Sequence, residues 1–351
     1  MRLIAAALAG TLGLAACEEP VKFPLVPVPE LGDGPISLRV ARAINPRFPN
    51  LAEEEISEVL ALAGTLIHDQ FGLTVQFDRG DDYSVDELLM ATPSPAIEFG
   101  AHYVFNMVDA DRSPQVLVKW IADSLIDPRT DIFSARRYFE NAIPGVTTME
   151  IERLAEAIAE NWMQGRLRWQ DLTAQDGERV IDDIGHQLAV WDFAGYGEFP
   201  FEIVITNLLV ASVQLYKLDP RIMLRGGVVI GTTGFSRSGQ FGAITTLSTF
   251  TMINDVGDLN ELGPDPIFDR ANATTYAAMI LAREIGYMLL HLGPSWDNPS
   301  CVMFVVPPGG MGDHMRSLDP AQCPMGSERA MNPGAAAISY DRELLEAVER
   351  Q

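Results

Sequence analysis

The sequence predicts an α+β fold. It has a mixed, mostly parallel sheet, a long N-terminal helix, a buried helix near the C-terminal end, and a helical insertion between the two halves of the sheet. Three observations predict it. Residues 36–77 read as strand, helix, strand with short connections, and two strands joined through a helix pair in parallel. Residues 82–198 carry helical periods broken by Pro and Gly, and strand signals return only beyond residue 200. Residues 273–292 are apolar on nearly every face, the mark of a helix enclosed on most sides.

In chain order, residues 36–43 alternate apolar and polar side chains, as a half-buried strand does. Asn50 is the expected N-cap of the next helix, with Glu53, Glu54 and Glu55 at the positive end of its dipole. Ile56, Val59, Leu60, Ala63, Leu66 and Ile67 recur at helical spacing as far as Gln70, and His68 suits the last turn as a surface cation. Gly72 ends this helix, residues 73–77 form the second strand, and Asp81-Asp82 reads as a solvated turn. Helices are expected at 84–90, 113–125, 134–141, 148–164 and 174–190, with Trp120, Trp162, Trp169 and Trp191 as their shared core. Strands follow at 201–213, 227–232 and 243–252, and the Gly-rich stretch 231–242 marks turns or bulges between them. Asn272 or Thr274 caps the apolar helix, which Gly293-Pro294 stops. The chain beyond is loop-like and closes with a short helix at 340–350. Residues 36–80 and 199–351 thus make one domain, interrupted by the helical insertion 81–198.

The N-terminal residues carry an address. Met1-Arg2 is positive, the apolar run from Leu3 to Leu14 is too short to span a bilayer, and Leu14-Ala15-Ala16-Cys17 matches the bacterial lipobox. Residues 1–16 are therefore expected to be a lipoprotein signal peptide, with Cys17 lipidated and residues 17–35 a Pro-rich tether. This places the chain at the cell envelope, and Glu18 leans towards the outer membrane, facing periplasm or exterior. A net charge of −23 repels nucleic acid and anionic headgroups, which excludes nucleic acid as a partner. The partners expected are the membrane, through the anchor, and a peptide or protein of the envelope. With Cys17 acylated, Cys301 and Cys323 remain for a disulfide in an oxidising compartment. It would close a loop of about 20 residues, worth about 3 kcal/mol of loop-closure entropy. Two zinc thiolates would need a paired CxxC spacing, which the sequence lacks.

Arg283 and Glu284 are the only formal charges between Ala273 and Leu292. Burying an ion costs several kcal/mol unless it is paired, so both need compensation. Neighbours in a helix point about 100° apart, so the two need not pair with each other. Glu284 shares a row with Ala277, Ile280, Met288 and His291, and Arg283 shares one with Tyr287. The stretch reads Arg283-Glu284-Ile285-Gly286-Tyr287, and Cys301-Val302-Met303 follows it. Strand, long helix, strand, further strands, buried Glu-bearing helix and Cys-x-Met, in that order, resemble the metzincin zinc metallopeptidases, especially the matrixin and archaemetzincin-like branches. The resemblance covers 36–77 and 201–350, and residues 239–250 are similar to the strand before the family's HExxHxxGxxH helix. It implies that Glu284 stands at the general base and Gly286 at the common small residue. It also implies that Met303 is the Met-turn methionine, and that Arg283, Tyr287 and Gly293 occupy the ligand positions. Catalytic zinc takes three protein ligands and supplies the acidity of its water. Without them Glu284 has no activated water to deprotonate.

Three readings stay open. In the favoured one the chain is a pseudopeptidase without cofactor: Arg283 supplies a fixed positive charge in the metal's place, and the cleft binds peptide or protein. In the second, zinc is held by a rearranged set drawn from Glu284, His291, Asp297 and His314, with Glu284 as base and His291 as the retained ligand. In the third, the helix is ordinary core of an unrelated structural or binding lipoprotein. His314 is the outside imidazole best placed to approach the helix. Ser236, Ser248 and Thr249 lack a Gly-x-Ser-x-Gly elbow, and residues 231–239 lack the ending of a phosphate loop. The acids of 255–269 fit no EF-hand spacing.

Overall fold

The computed structural model describes residues 29–84, 87–88, 90, 114–127, 132–140, 142–171, 199–211, 228–235, 240–254, 270–292, 295, 298–307 and 310–322. Strand β1 (Ile36–Ala43), helix α1 (Glu53–Phe71) and strand β2 (Val75–Tyr83) form the expected crossover, with β1 and β2 parallel and Ile36 opposite Val75. Strands β3 (Ile203–Thr206), β4 (Val210–Ala211), β5 (Val228–Val229), β6 (Gly231–Phe235) and β7 (Ala243–Ser248) follow. Five of these strands make one sheet in the order β2-β1-β3-β7-β6, parallel except for β6, which lies antiparallel on β7 at the edge. The α+β class with a mixed, mostly parallel sheet holds. β4 and β5 form a separate antiparallel pair.

Every residue of β3 and β7 is buried, as central parallel strands covered on both faces require. The side chains that read as a helical row on α1 form its buried stripe, and α1 lies along helix α6 (Ala273–Leu290). That helix in turn packs on β6 and β7. The helical insertion has a core of its own. Leu117, Ile121 and Leu125 of α2 (Pro114–Leu125) meet Phe139 of α3 (Ile132–Phe139) and Leu154, Ile158 and Trp162 of α4 (Ile151–Asp171). Val305, just after Met303, packs against this cluster and joins it to the main domain. Among the described residues no helix is long and apolar enough to cross a membrane.

Four local expectations are corrected. Helix α1 is capped at Ala52 rather than Asn50, and the Ala52 N–H donates to Glu55 Oε2 at 2.7 Å. Strand β2 runs through Asp81-Asp82, because Arg42 of β1 pairs with Asp82 and with Glu53, and Arg79 also reaches Glu53. Strand β7 stops at Ser248, whose hydroxyl accepts the Phe250 N–H and opens the one-turn helix α5 (Phe250–Ile253). The expected loop near His314 is a short helix, α7 (Met311–Ser317). The expected helices at 174–190 and 340–350, Trp191, Cys17, Cys323, Gly293 and Asp297 lie outside the described residues.

Two close approaches fix α6. At Gly286 an added Cβ would lie 2.8 Å from both Met303 Sδ and Phe71 Cζ, so a bare backbone lets α1 and the Met303 turn press on the helix. Gln70 clips that turn, accepting the Val302 N–H and donating to the Ser300 carbonyl. At the helix end His291 takes a left-handed φ of 50°, which turns the chain so that the Leu292 N–H folds back to the Gly286 carbonyl at 3.4 Å. Alanine is the better helix former by about 1 kcal/mol, yet overpacking costs about 1–3 kcal/mol. Gly286→Ala is therefore expected to lower stability in urea unfolding. Adding Met303→Ala should show a coupling above about 0.5 kcal/mol, because the second change removes one of the two collisions, the other being with Phe71. A more stable Gly286→Ala chain would mean that the approach is not as close as described.

Candidate functional site

The site is one carboxylate inside the apolar helix and the groups that answer it. Glu284 is buried, and its Oε2 accepts the Thr233 hydroxyl at 2.9 Å. Thr233 Oγ1 also lies 3.0 Å from Thr245 Oγ1 and 3.1 Å from the Glu284 carbonyl. The neighbouring Arg283 folds back onto the other oxygen, with Nε at 3.3 Å and Nη2 at 3.2 Å from Oε1. The pair that helical geometry left open therefore forms, because the arginine side chain is long enough to turn round its own backbone. Its two ends differ: the Arg283 side chain is 20% exposed and that of Glu284 only 4%.

Strand β6 is shaped to receive this carboxylate. A Cβ on Gly231 would meet Ile280 Cγ2 at 2.5 Å and Glu284 Cγ at 2.9 Å, so only glycine lets the strand come this close. Two residues on, and so on the same face of the strand, Thr233 brings its hydroxyl. Burial pushes the Glu284 carboxyl up, and the Arg283 charge and the Thr233 hydrogen bond pull against that rise.

Helix α7 packs on α6, with Gly312 beside the Tyr276 hydroxyl, and carries His314. Its ring is 3% exposed and stands 5.3 Å from the Phe304 ring. Neither ring nitrogen makes a hydrogen bond of proper geometry. Burial holds its pKa down to about 4, with the Arg283 charge adding to the fall and the Pro299 carbonyl opposing it. The expectation that His314 approaches the helix agrees with this placement. His291 sits buried at the helix end, and burial lowers its pKa. Tyr287 is half-buried against the main core. Met303 stands against Gly286, and Cys301 is buried and disulfide-bonded. Among the described residues no three His, Cys, Asp or Glu side chains gather as a metal site would need. Ser248 and Thr249 are held as structural hydroxyls by the Leu208 and Thr206 carbonyls.

Gly231, Thr233 and Thr245 escaped the sequence reading. The signal was Gly-x-Thr at strand spacing, masked by the glycines that read as turns. No family model, no curated protein and no solved structure matches the chain. Fold and site together define an α+β protein with a mostly parallel sheet and a buried Arg–Glu pair beneath its antiparallel edge strand.

Removing the cation strands a buried carboxylate. Arg283→Ala is expected to cost about 3–5 kcal/mol in denaturant unfolding, and Glu284→Gln added to it should recover much of that. A loss under about 1 kcal/mol, the worth of an exposed pair, would show that water answers Glu284 instead. The His314 ring gives a second handle. The unfolded chain takes up its proton first, so this contribution to stability is complete above about pH 6.5 and is lost as pH falls towards 4. His314→Gln should remove roughly 2–3 kcal/mol from the fall in stability between about pH 7 and pH 4, read from urea midpoints. An unchanged slope would mean that the ring is open to solvent.

Proposed function

We propose that the chain is a metzincin-like pseudopeptidase of the cell envelope, lipid-anchored at Cys17, whose former catalytic cleft binds a peptide or protein. The observation that carries this reading is the Arg283 guanidinium resting on the Glu284 carboxylate, at the position where the resemblance puts the general base. Met303 against Gly286, on the far side of the same helix, supports it, as does the order of strands and helices around α6.

The residues do not fit a zinc ion. A guanidinium stays protonated and has no lone pair for a metal, and its charge repels a dication. The carboxylate is already engaged by Arg283 and Thr233. What this site does well is hold a positive charge whose outer edge reaches solvent. Among the described residues no strand pairs with the outer edge of β6, and an extended peptide can add to such an edge through backbone hydrogen bonds. The Cys301–Cys323 disulfide would brace the turn that carries Met303.

Elemental analysis of the purified chain from zinc-replete medium should find zinc far below one equivalent, with no peptide cleavage that Glu284→Gln abolishes. A full equivalent of zinc together with Glu284-dependent cleavage would establish the rearranged-ligand peptidase instead. Arg283→His with Tyr287→His places two imidazoles one helical turn apart, and His314 is the imidazole proposed to join them. That chain should gain tight zinc binding, and His314→Ala should weaken it by about tenfold or more, as expected for the loss of one ligand.

A further inference from the structure

We infer that residues 20–28, the Pro-rich segment read above as a tether, fold back along the domain and dock in a groove between α1 and β2. The groove has a volume of about 600 Å³. Ala61, Gly64 and Thr65 of α1 line one side of it, and Val75, Phe77 and Arg79 of β2 line the other. The three β2 residues alternate along the strand and so share one face. Val75 and Phe77 are half-buried, while Ala61 and Thr65 are exposed. Gly64 leaves a gap beside the Phe77 ring, which a Cβ there would touch at 3.6 Å. Among the described residues β2 is the last strand of the sheet on this side, and no strand pairs with its outer edge. The groove therefore lies beside an open edge, at the end of the sheet away from β6 and Glu284.

The chain itself supplies the occupant. Residues 20–28 read Pro-Val-Lys-Phe-Pro-Leu-Val-Pro-Val. A segment that only spans distance gains nothing from Val21, Phe23, Leu25, Val26 and Val28, whereas one that docks takes them out of water. Pro20, Pro24 and Pro27 fix an extended backbone at themselves and favour it in the residue before, so little freedom is lost on docking. The path is short. The Ile36 N–H donates to the Thr74 carbonyl at 2.8 Å, so the chain enters β1 beside the start of β2. The outer edge of β2 lies about 10 Å from β1, two strand spacings away. Residues 29–35 span roughly 23 Å at full extension, and Leu31 among them already packs against the main core. A second copy fits the edge poorly. Asp78, Asp81 and Asp82 of both copies would share one seam, in a chain of net charge −23. The only charge in residues 20–28 is Lys22, of the opposite sign.

The docking does not depend on the pseudopeptidase reading, but it has a consequence for an anchor at Cys17. A free tether of residues 17–35 would reach about 60 Å in polyproline form, and a docked one leaves only residues 17–19, about 10 Å. The β2 edge would then face the membrane and the β6 edge, at the other end of the sheet, would face away from it.

Trypsin reads the docking, because Lys22 is followed by Phe23. Cleavage tracks the population of the released form, so Lys22 in the purified, natively folded full chain should be cut at least about tenfold more slowly than in a free peptide of residues 18–29. Ala61→Glu with Thr65→Glu charges the groove at two exposed positions; the urea midpoint should hold while Lys22 cleavage rises to the rate in the peptide. Phe23→Ser with Leu25→Ser and Val26→Ser, far from the core of the domain, should release the segment equally. That chain, its groove vacated, should bind a fluorescein-labelled peptide of residues 20–29 saturably, and adding the two groove charges should weaken binding about tenfold or more. Cleavage of Lys22 in the unaltered chain at the rate of the free peptide overturns the docking, as does protection that survives the groove charges, or peptide binding that ignores them. Protection that grows with protein concentration, together with a dimer in sedimentation, overturns docking within one chain and gives the groove to a second copy.

Discussion

One carboxylate inside an apolar helix sets the terms for everything around it. Helix α6 is needed as core: it fills the space between α1 and the β6–β7 edge, and almost none of its surface reaches water. Placing Glu284 in it takes an ion out of water at a penalty of several kcal/mol. Hydrogen bonds to a charged group return about 1.5–3 kcal/mol each, so the contacts from Thr233 and Arg283 are the right number to offset the loss. Each carries a structural demand. Thr233 must be on the strand facing the helix, Gly231 must leave room for the approach, and Arg283 must bend back along its own helix. The sheet edge, the glycine and the helix are thus parts of one solution to one desolvation problem.

A second buried carboxylate shows what a purely structural solution looks like. Glu202 is fully enclosed, and it accepts the Arg39 N–H at 2.8 Å, Arg39 Nε at 3.1 Å, Arg39 Nη2, and the Gln240 N–H at 3.1 Å. Its partners come from β1 and from the turn before β7, so it stitches the sheet and both oxygens are saturated. Asn207 works the same way on the connection from β1 to α1, accepting the Asn45 N–H and donating to the Asn45, Phe48 and Pro49 carbonyls. Glu284 differs in degree: its contacts to Arg283 are longer, at 3.2 and 3.3 Å, and they reach only one of its oxygens.

The sequence disclosed whatever depends on periodicity. Strand β1 falls on the alternating residues, α1 on the helical row, and α6 on the stretch with no polar face. The need to compensate Arg283 and Glu284 was equally visible, because two charges in such a helix cannot go unanswered. What remained hidden depends on partners distant in sequence. Asp81-Asp82 continue a strand only because Arg42 stands opposite Asp82, forty residues earlier. Thr233 counts as a ligand of Glu284 only once β6 is known to lie over α6, fifty-one residues away. Gly231 looks like a turn residue and acts as a spacer, a distinction that no local pattern carries. The loop that became α7 matters because it buries His314 where the Arg283 charge is felt, and nothing in Gly310-Met311-Gly312-Asp313 announces that.

The Arg–Glu pair also argues against reading α6 as ordinary core. A buried ion pair seldom outperforms well-packed apolar residues of similar size, and replacing one with such residues is often neutral or stabilising. A helix that served only to fill the interior would lose nothing with apolar side chains at 283 and 284. It would not need a glycine on the facing strand, nor a threonine aimed at it. In this arrangement the carboxylate is sealed and its cation keeps one edge in water, as in the Arg39–Glu202 pair. An arginine held rigid at the protein's edge by a hidden acid keeps a fixed direction and a single free face. That is the form a recognition group takes when it must be oriented before its ligand arrives.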